Sequence, residues 1–90
     1  MGRTVTLTDF AGAYTFPYSV RVRAVMFRPG AAADELIVRE GSASGNIIIP
    51  MITAVKETIS VYLGGAKMTP YLDYTASTLS AGAVVVFFLE

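Results

Sequence analysis

The chain has 90 residues, no cysteine and no histidine, and its seven basic residues balance seven acidic ones. This composition excludes a disulfide framework, thiolate chemistry and a zinc site of the usual ligand types, and it leaves no basic footprint with which to displace counterions from DNA or RNA. Only 16% of the residues are charged and 53% are hydrophobic, against a usual ~25% charged, although a small protein has the most surface to cover with polar groups.

The excess apolar surface is expected to meet another copy of the chain. Period-two alternation and frequent turn residues predict an all-β protein, a small antiparallel β-sandwich or jelly-roll-like barrel of six to seven short strands. Residues 1–90 read as a single domain, with 1–18 an extended arm or an edge strand. Thr4–Thr8 alternates as the first strand, followed by a break at Asp9–Gly12. Tyr14, Phe16 and Tyr18 form an aromatic stripe around Pro17, which cannot donate a ladder hydrogen bond.

Ser19–Arg28 is the clearest strand. Val20, Val22, Ala24 and Met26 fall on one face, and Arg21, Arg23, Val25 and Phe27 on the other, which turns apolar halfway along. Pro29-Gly30 reads as a turn and Glu35–Glu40 as the returning strand of a hairpin. With Met26 opposite Leu36, that register sets Arg23 across from Arg39, a like-charge pair that disfavours it. After the loop Gly41–Gly45, the run Asn46–Met51 is apolar enough to expect burial on both faces. Ile52–Glu57 reads as one helical turn or a crossover. Thr58–Leu63 alternates and is expected to stop at Gly64-Gly65, and Met68–Tyr74 is a weaker strand interrupted by Pro70. The last strand, Ala83–Leu89, has no polar face, so both of its sides need cover and its end is expected to dock on a neighbouring copy.

The search for chemistry returns little. Gly41–Gly45 carries Ala43 where a nucleophile elbow needs serine, and Gly64-Gly65 opens no phosphate-binding helix. Asp9, Asp34, Glu35, Glu40, Glu57 and Asp73 lie mostly in turns or at strand ends, where carboxylates bond local amides; Asp34 and Glu35 are the best pair for acid–base work. Lys56 and Lys67 would need desolvation to act as nucleophiles. No enzyme activity, cofactor or metal is expected. Met1–Leu7 lacks the apolar core of a secretory leader, and the uncharged run Tyr74–Leu89 opens too polar for a membrane span. Tyr14, Phe16, Tyr18, Tyr62, Tyr71 and Tyr74 could stack on a sugar or anchor an interface, and core packing is the competing use. Arg21, Arg23 and Arg39 either grip acidic residues of a neighbour or form a solvated face.

The stretch PGAAADELIVREGSASG, the apolar strand after it and the ending AVVVFFLE resemble, over residues 19–90, the small β-rich virion proteins of tailed bacteriophages. The resemblance implies a non-enzymatic structural role in the virion, assembled in the host cytoplasm: capsid decoration or cement, a head spike, or a tail component. Such proteins are typically trimers or rings, so the implied partners are the chain itself and a larger virion protein such as the major capsid protein, with no nucleic acid and no membrane. Interface positions are expected at Tyr14, Phe16, Tyr18, Arg21, Arg23, Val25, Phe27, Ile37, Arg39, Phe87, Phe88 and Leu89. The alternative is a carbohydrate- or protein-binding β-sandwich module that uses exposed tyrosines.

Overall fold

A computed structural model describes residues 3–8, 10, 12–52 and 57–90. Among them there are eight strands and no helix: β1 (Arg3–Leu7), β2 (Tyr14–Thr15), β3 (Val20–Arg28), β4 (Glu35–Glu40), β5 (Ile47–Ile52), β6 (Ile59–Met68), β7 (Pro70–Leu72) and β8 (Val84–Leu89). The chain is thus all-β, in two four-stranded sheets ordered β1-β8-β3-β6 and β2-β7-β4-β5. The count exceeds six or seven because the two-residue β2 pairs with β7 as a strand in its own right.

The pairing is nested. β1 pairs with β8, β2 with β7, β3 with β6 and β4 with β5, all antiparallel. This is one long ribbon whose tip is the β4–β5 hairpin, rolled until β3 meets β8 and β4 meets β7. An eight-strand ribbon rolled into two sheets is a jelly roll. At the tip, Glu40 N–H donates to Asn46 C=O over 2.9 Å, and Gly45 sits so close to the Glu40 carbonyl that a Cβ would collide with it.

Rolling corrects the expected β3–β4 hairpin, because it sends the two strands into different sheets. Asp34 explains how. Its Oδ2 accepts from Gly30 N–H at 2.9 Å and Ser80 N–H at 3.0 Å, while Oδ1 accepts from the Ser80 hydroxyl at 2.6 Å. The carboxylate therefore binds the β3–β4 connection to the β7–β8 connection. A carboxylate with several donors tolerates burial, and Asp34 is 1% exposed. Glu35 then bridges to Thr78.

One core fills the space between the sheets. Val20, Val22, Val25, Phe27, Val85, Phe87 and Leu89 face it from the first sheet, and Leu36, Val38, Ile49 and Leu72 from the second. Phe16 closes one margin, with its ring edge-on to Phe87 at 5.1 Å between centroids. β5 is an edge strand and is not buried on both faces: Ile49 is buried, while Ile47 and Pro50 are exposed. Most of the expected helical turn or crossover, 53–56, lies outside the described residues, as do Asp9 and Lys56.

β3 changes phase in its middle. Val22 is level with Leu89 and Ala24 with Phe88, so Arg23 is an extra residue relative to β8. On the other side, Val22 is level with Ala66 and Ala24 with Tyr62, so β6 loops out at Leu63–Gly65. Inward positions shift from Val20 and Val22 before the bulge to Val25 and Phe27 after it, which is why the second face turns apolar halfway. β6 does not stop at Gly64-Gly65. It passes through them with φ of 65° and 83°, a backbone shape that glycine adopts without a steric penalty.

Candidate functional site

The outer face of the β1-β8-β3-β6 sheet follows from its register. One row runs Thr4, Phe88, Ala24, Tyr62 across β1, β8, β3 and β6, and the next runs Thr6, Val86, Met26, Ser60. Cross-strand partners share a face, so the centre of this face is apolar and its two margins are threonine on one side and serine and tyrosine on the other. Tyr62 is 84% exposed and Phe88 36%, whereas Val86 is 8% exposed between its neighbours. A groove of about 640 Å³ lies here, lined by Arg23, Ala24, Met26, Ser60, Tyr62, Gly64, Phe88 and Glu90.

The bulge builds the charged end of the groove. Arg23 is pushed outward as the extra residue. Glu90 N–H donates to Arg21 C=O over 3.0 Å, and the Glu90 carboxylate lies against Gly65, in the space a Cβ there would need. The Arg21 guanidinium donates to the Gly65 carbonyl at 3.4 Å. Two cations, Arg21 and Arg23, and one carboxylate, Glu90, thus stand at this end beside an apolar floor.

The second sheet holds its charge differently. Arg39 Nε donates to Asp73 Oδ2 at 2.7 Å, and Ala76 N–H donates to Asp73 Oδ1 at 3.1 Å. The Arg39 bond, then the Ala76 bond, hold the Asp73 carboxyl below its ordinary value against the effect of burial. At Asp34 burial is the largest influence and acts upward, but the combined bonds from Ser80, Gly30 and Ala31 outweigh it and the carboxyl is also lowered. Both carboxylates tie loop amides, Asp34 those of Gly30 and Ser80 and Asp73 that of Ala76. The Asp34 carboxylate accepts from the Ser80 hydroxyl, and Glu35 pairs through its backbone with Thr78. Among the described residues, no three His, Cys, Asp or Glu side chains gather as metal ligands would.

The expected interface positions divide. Tyr14, Tyr18, Arg21, Arg23 and Phe88 are exposed. Phe16, Val25, Phe27, Ile37, Phe87 and Leu89 are buried within the chain itself, so they are not surface positions of the protomer. For Phe87 and Leu89 the reason is the two-sided nature of β8, whose odd-numbered side chains enter the chain's own core while the even-numbered ones face out; Val25 and Phe27 face the same core from β3 after its bulge. Arg39 is half-buried against Asp73 and is separated from Arg21 and Arg23 by the change of sheet. Ala24, Met26, Ser60 and Glu90 line the groove without having been expected there. The signal that could have found Ala24 and Met26 is the mid-strand phase change, which moves them from the face of Val20 to the opposite one.

No protein-family model matches this chain, and no curated protein matches it.

Proposed function

We propose that the chain is a non-enzymatic structural protein of a bacteriophage particle, one that assembles with copies of itself and docks on the capsid or the head–tail assembly. The observation that carries this reading is the outer face of the β1-β8-β3-β6 sheet, where Phe88 and Val86 on β8, Met26 on β3 and Tyr62 on β6 form an apolar band with Phe88 and Tyr62 exposed. Exposed apolar patches rimmed by polar residues mark interaction sites. The fold supports it by analogy, because jelly rolls recur in viral capsid proteins, and the same analogy extends to lectins. The reading is tested by native mass spectrometry of the full chain at micromolar concentration. Assemblies of more than one copy are expected, and a strictly monomeric spectrum overturns it.

The second reading, a carbohydrate-binding module, is favoured by the 84% exposure of Tyr62 beside Ser60, Arg23 and Glu90. An aromatic face with hydroxyl and charged neighbours suits a pyranose ring. Calorimetric titration with oligosaccharides separates the two, since saturable heat abolished by Tyr62→Ala is expected only of the module.

A further inference from the structure

Resting on the reading of the chain as a carbohydrate-binding module, we infer that the groove on the β1-β8-β3-β6 sheet takes an acidic sugar, its ring stacked on Tyr62 and its carboxylate held by Arg23. The neutrality of the whole chain conceals a sorting of charge by sheet. Within the strands of this sheet the charged residues are Arg3, Arg21, Arg23, Arg28 and Lys67, with no carboxylate among them. The strands of the other sheet carry Glu35 and Glu40 beside Arg39. The groove therefore lies on the cationic side of the molecule.

The cations crowd one end of it. Arg21 is level with Lys67 across β3 and β6, two like charges placed directly opposite, an arrangement that costs stability. The bulge adds Arg23 beside them. All three are exposed, and among the described residues the one ion pair is Arg39 with Asp73. Glu90, whose carboxylate lies against Gly65, is in salt-bridge contact with none of the three. A surplus of positive charge is thus left at this end for an anion to neutralise. Arg21 donates to the Gly65 carbonyl at 3.4 Å, whereas the Arg23 guanidinium lines the groove and offers the planar fork that meets a carboxylate through two parallel bonds.

The rest of the groove selects a sugar among anions. Tyr62 is mostly exposed, with the Ser60 hydroxyl and Met26 along the same wall, and a ring with a hydroxyl at its side suits a pyranose. A single-stranded nucleic acid takes a groove whose cations track the backbone past successive stacking rings. Here the cations gather at one end, and of the two rings that line the groove only Tyr62 is mostly exposed. The volume of about 640 Å³ falls within the ~300–1,000 Å³ of ligand clefts.

The test is calorimetric titration of the full chain with hexagalacturonate, maltohexaose and oligothymidylate, with circular dichroism to verify that each variant folds. Hexagalacturonate is expected to bind the wild type with a Kd at least about tenfold below that of maltohexaose, and added salt should narrow the gap. Arg23→Gln should weaken hexagalacturonate binding about tenfold, Lys67→Gln about twofold to threefold, and Tyr62→Ala should abolish it. Arg28→Gln, at the far end of the same strand, should leave it unchanged. If Tyr62→Ala fails to fold, the two charge variants decide. Equal affinity for the two sugars, or acidic-sugar binding that ignores Arg23→Gln, overturns this inference and leaves the module standing. No binding of either sugar overturns both. Tighter binding of oligothymidylate than of hexagalacturonate assigns the face to nucleic acid and overturns the inference.

Discussion

The outer sides of the two sheets differ in how open their apolar residues stand. On the β2-β7-β4-β5 sheet, Ile37 points away from the core and is still buried, and the segment after β7 runs on along β4. Asp73 N–H donates to Ile37 C=O, and Ile37 N–H donates to the Ser77 hydroxyl, each at 2.9 Å. Arg39 and Asp73 clamp that segment in place. On the β1-β8-β3-β6 sheet, Phe88 and Tyr62 stand open. Both sides carry outward apolar residues, so apolarity alone does not mark a surface for partners. What separates the two sides is exposure, with Ile37 buried and Phe88 and Tyr62 open.

The comparison can be broken most forcefully at Asp34. Asp34→Ala removes the acceptor shared by Gly30, Ala31 and Ser80 and strands buried donors, so a loss of about 3 kcal/mol or more in urea unfolding is expected. A loss under about 1 kcal/mol would mean that the connections hold without it.

Acid sharpens the contrast. The Asp34 and Asp73 carboxyls are lowered from 3.8, so the folded state binds protons less readily than the unfolded one. The stability they contribute is fully present above the unfolded value and is lost as pH falls through the folded values. Hydrogen exchange on a falling pH series should therefore loosen Glu35, Ile37 and Thr78 before Val86 and Met26. Simultaneous loosening of both sheets would contradict this.

Gly65→Ala should cost about 1–3 kcal/mol, because a side chain at positive φ is strained, and the new Cβ also displaces the Glu90 carboxylate. Gly64→Ala meets open space and should show the smaller loss in the same melts. The least effect is expected from Phe88→Ala, which should change protomer stability by under about 1 kcal/mol when measured in dilute solution. Phe87→Ala on the other side of the same strand removes a buried ring and serves as the positive control.

The strands were largely legible in the sequence, since β-branched and aromatic residues alternate wherever one side of a sheet is buried. Their partners were not. Pro29-Gly30 has the composition of a hairpin turn, and nothing local reveals that Asp34 will bond Ser80, 46 positions away, and carry the chain to the other sheet. In a nested ribbon only the tip, β4–β5, pairs neighbours in sequence, so the local pattern misreads β3–β4 as a hairpin. The candidate face was half legible. Phe88 and Arg23 were named from their strands, but Phe87, Leu89, Val25 and Phe27 were named with them, because an unbroken apolar run does not say which side is inward. Deciding that needed the bulge at Arg23, whose trace is the phase change between Val22 and Val25.

The sheet margins carry a final consequence. β2 is two residues long, β5 holds Pro50 without an N–H, and β6 is bent by its glycine pair. Each of these interrupts the straight template on which a foreign strand could zip up by main-chain bonding. Growth along those rims into endless fibrils is thereby discouraged.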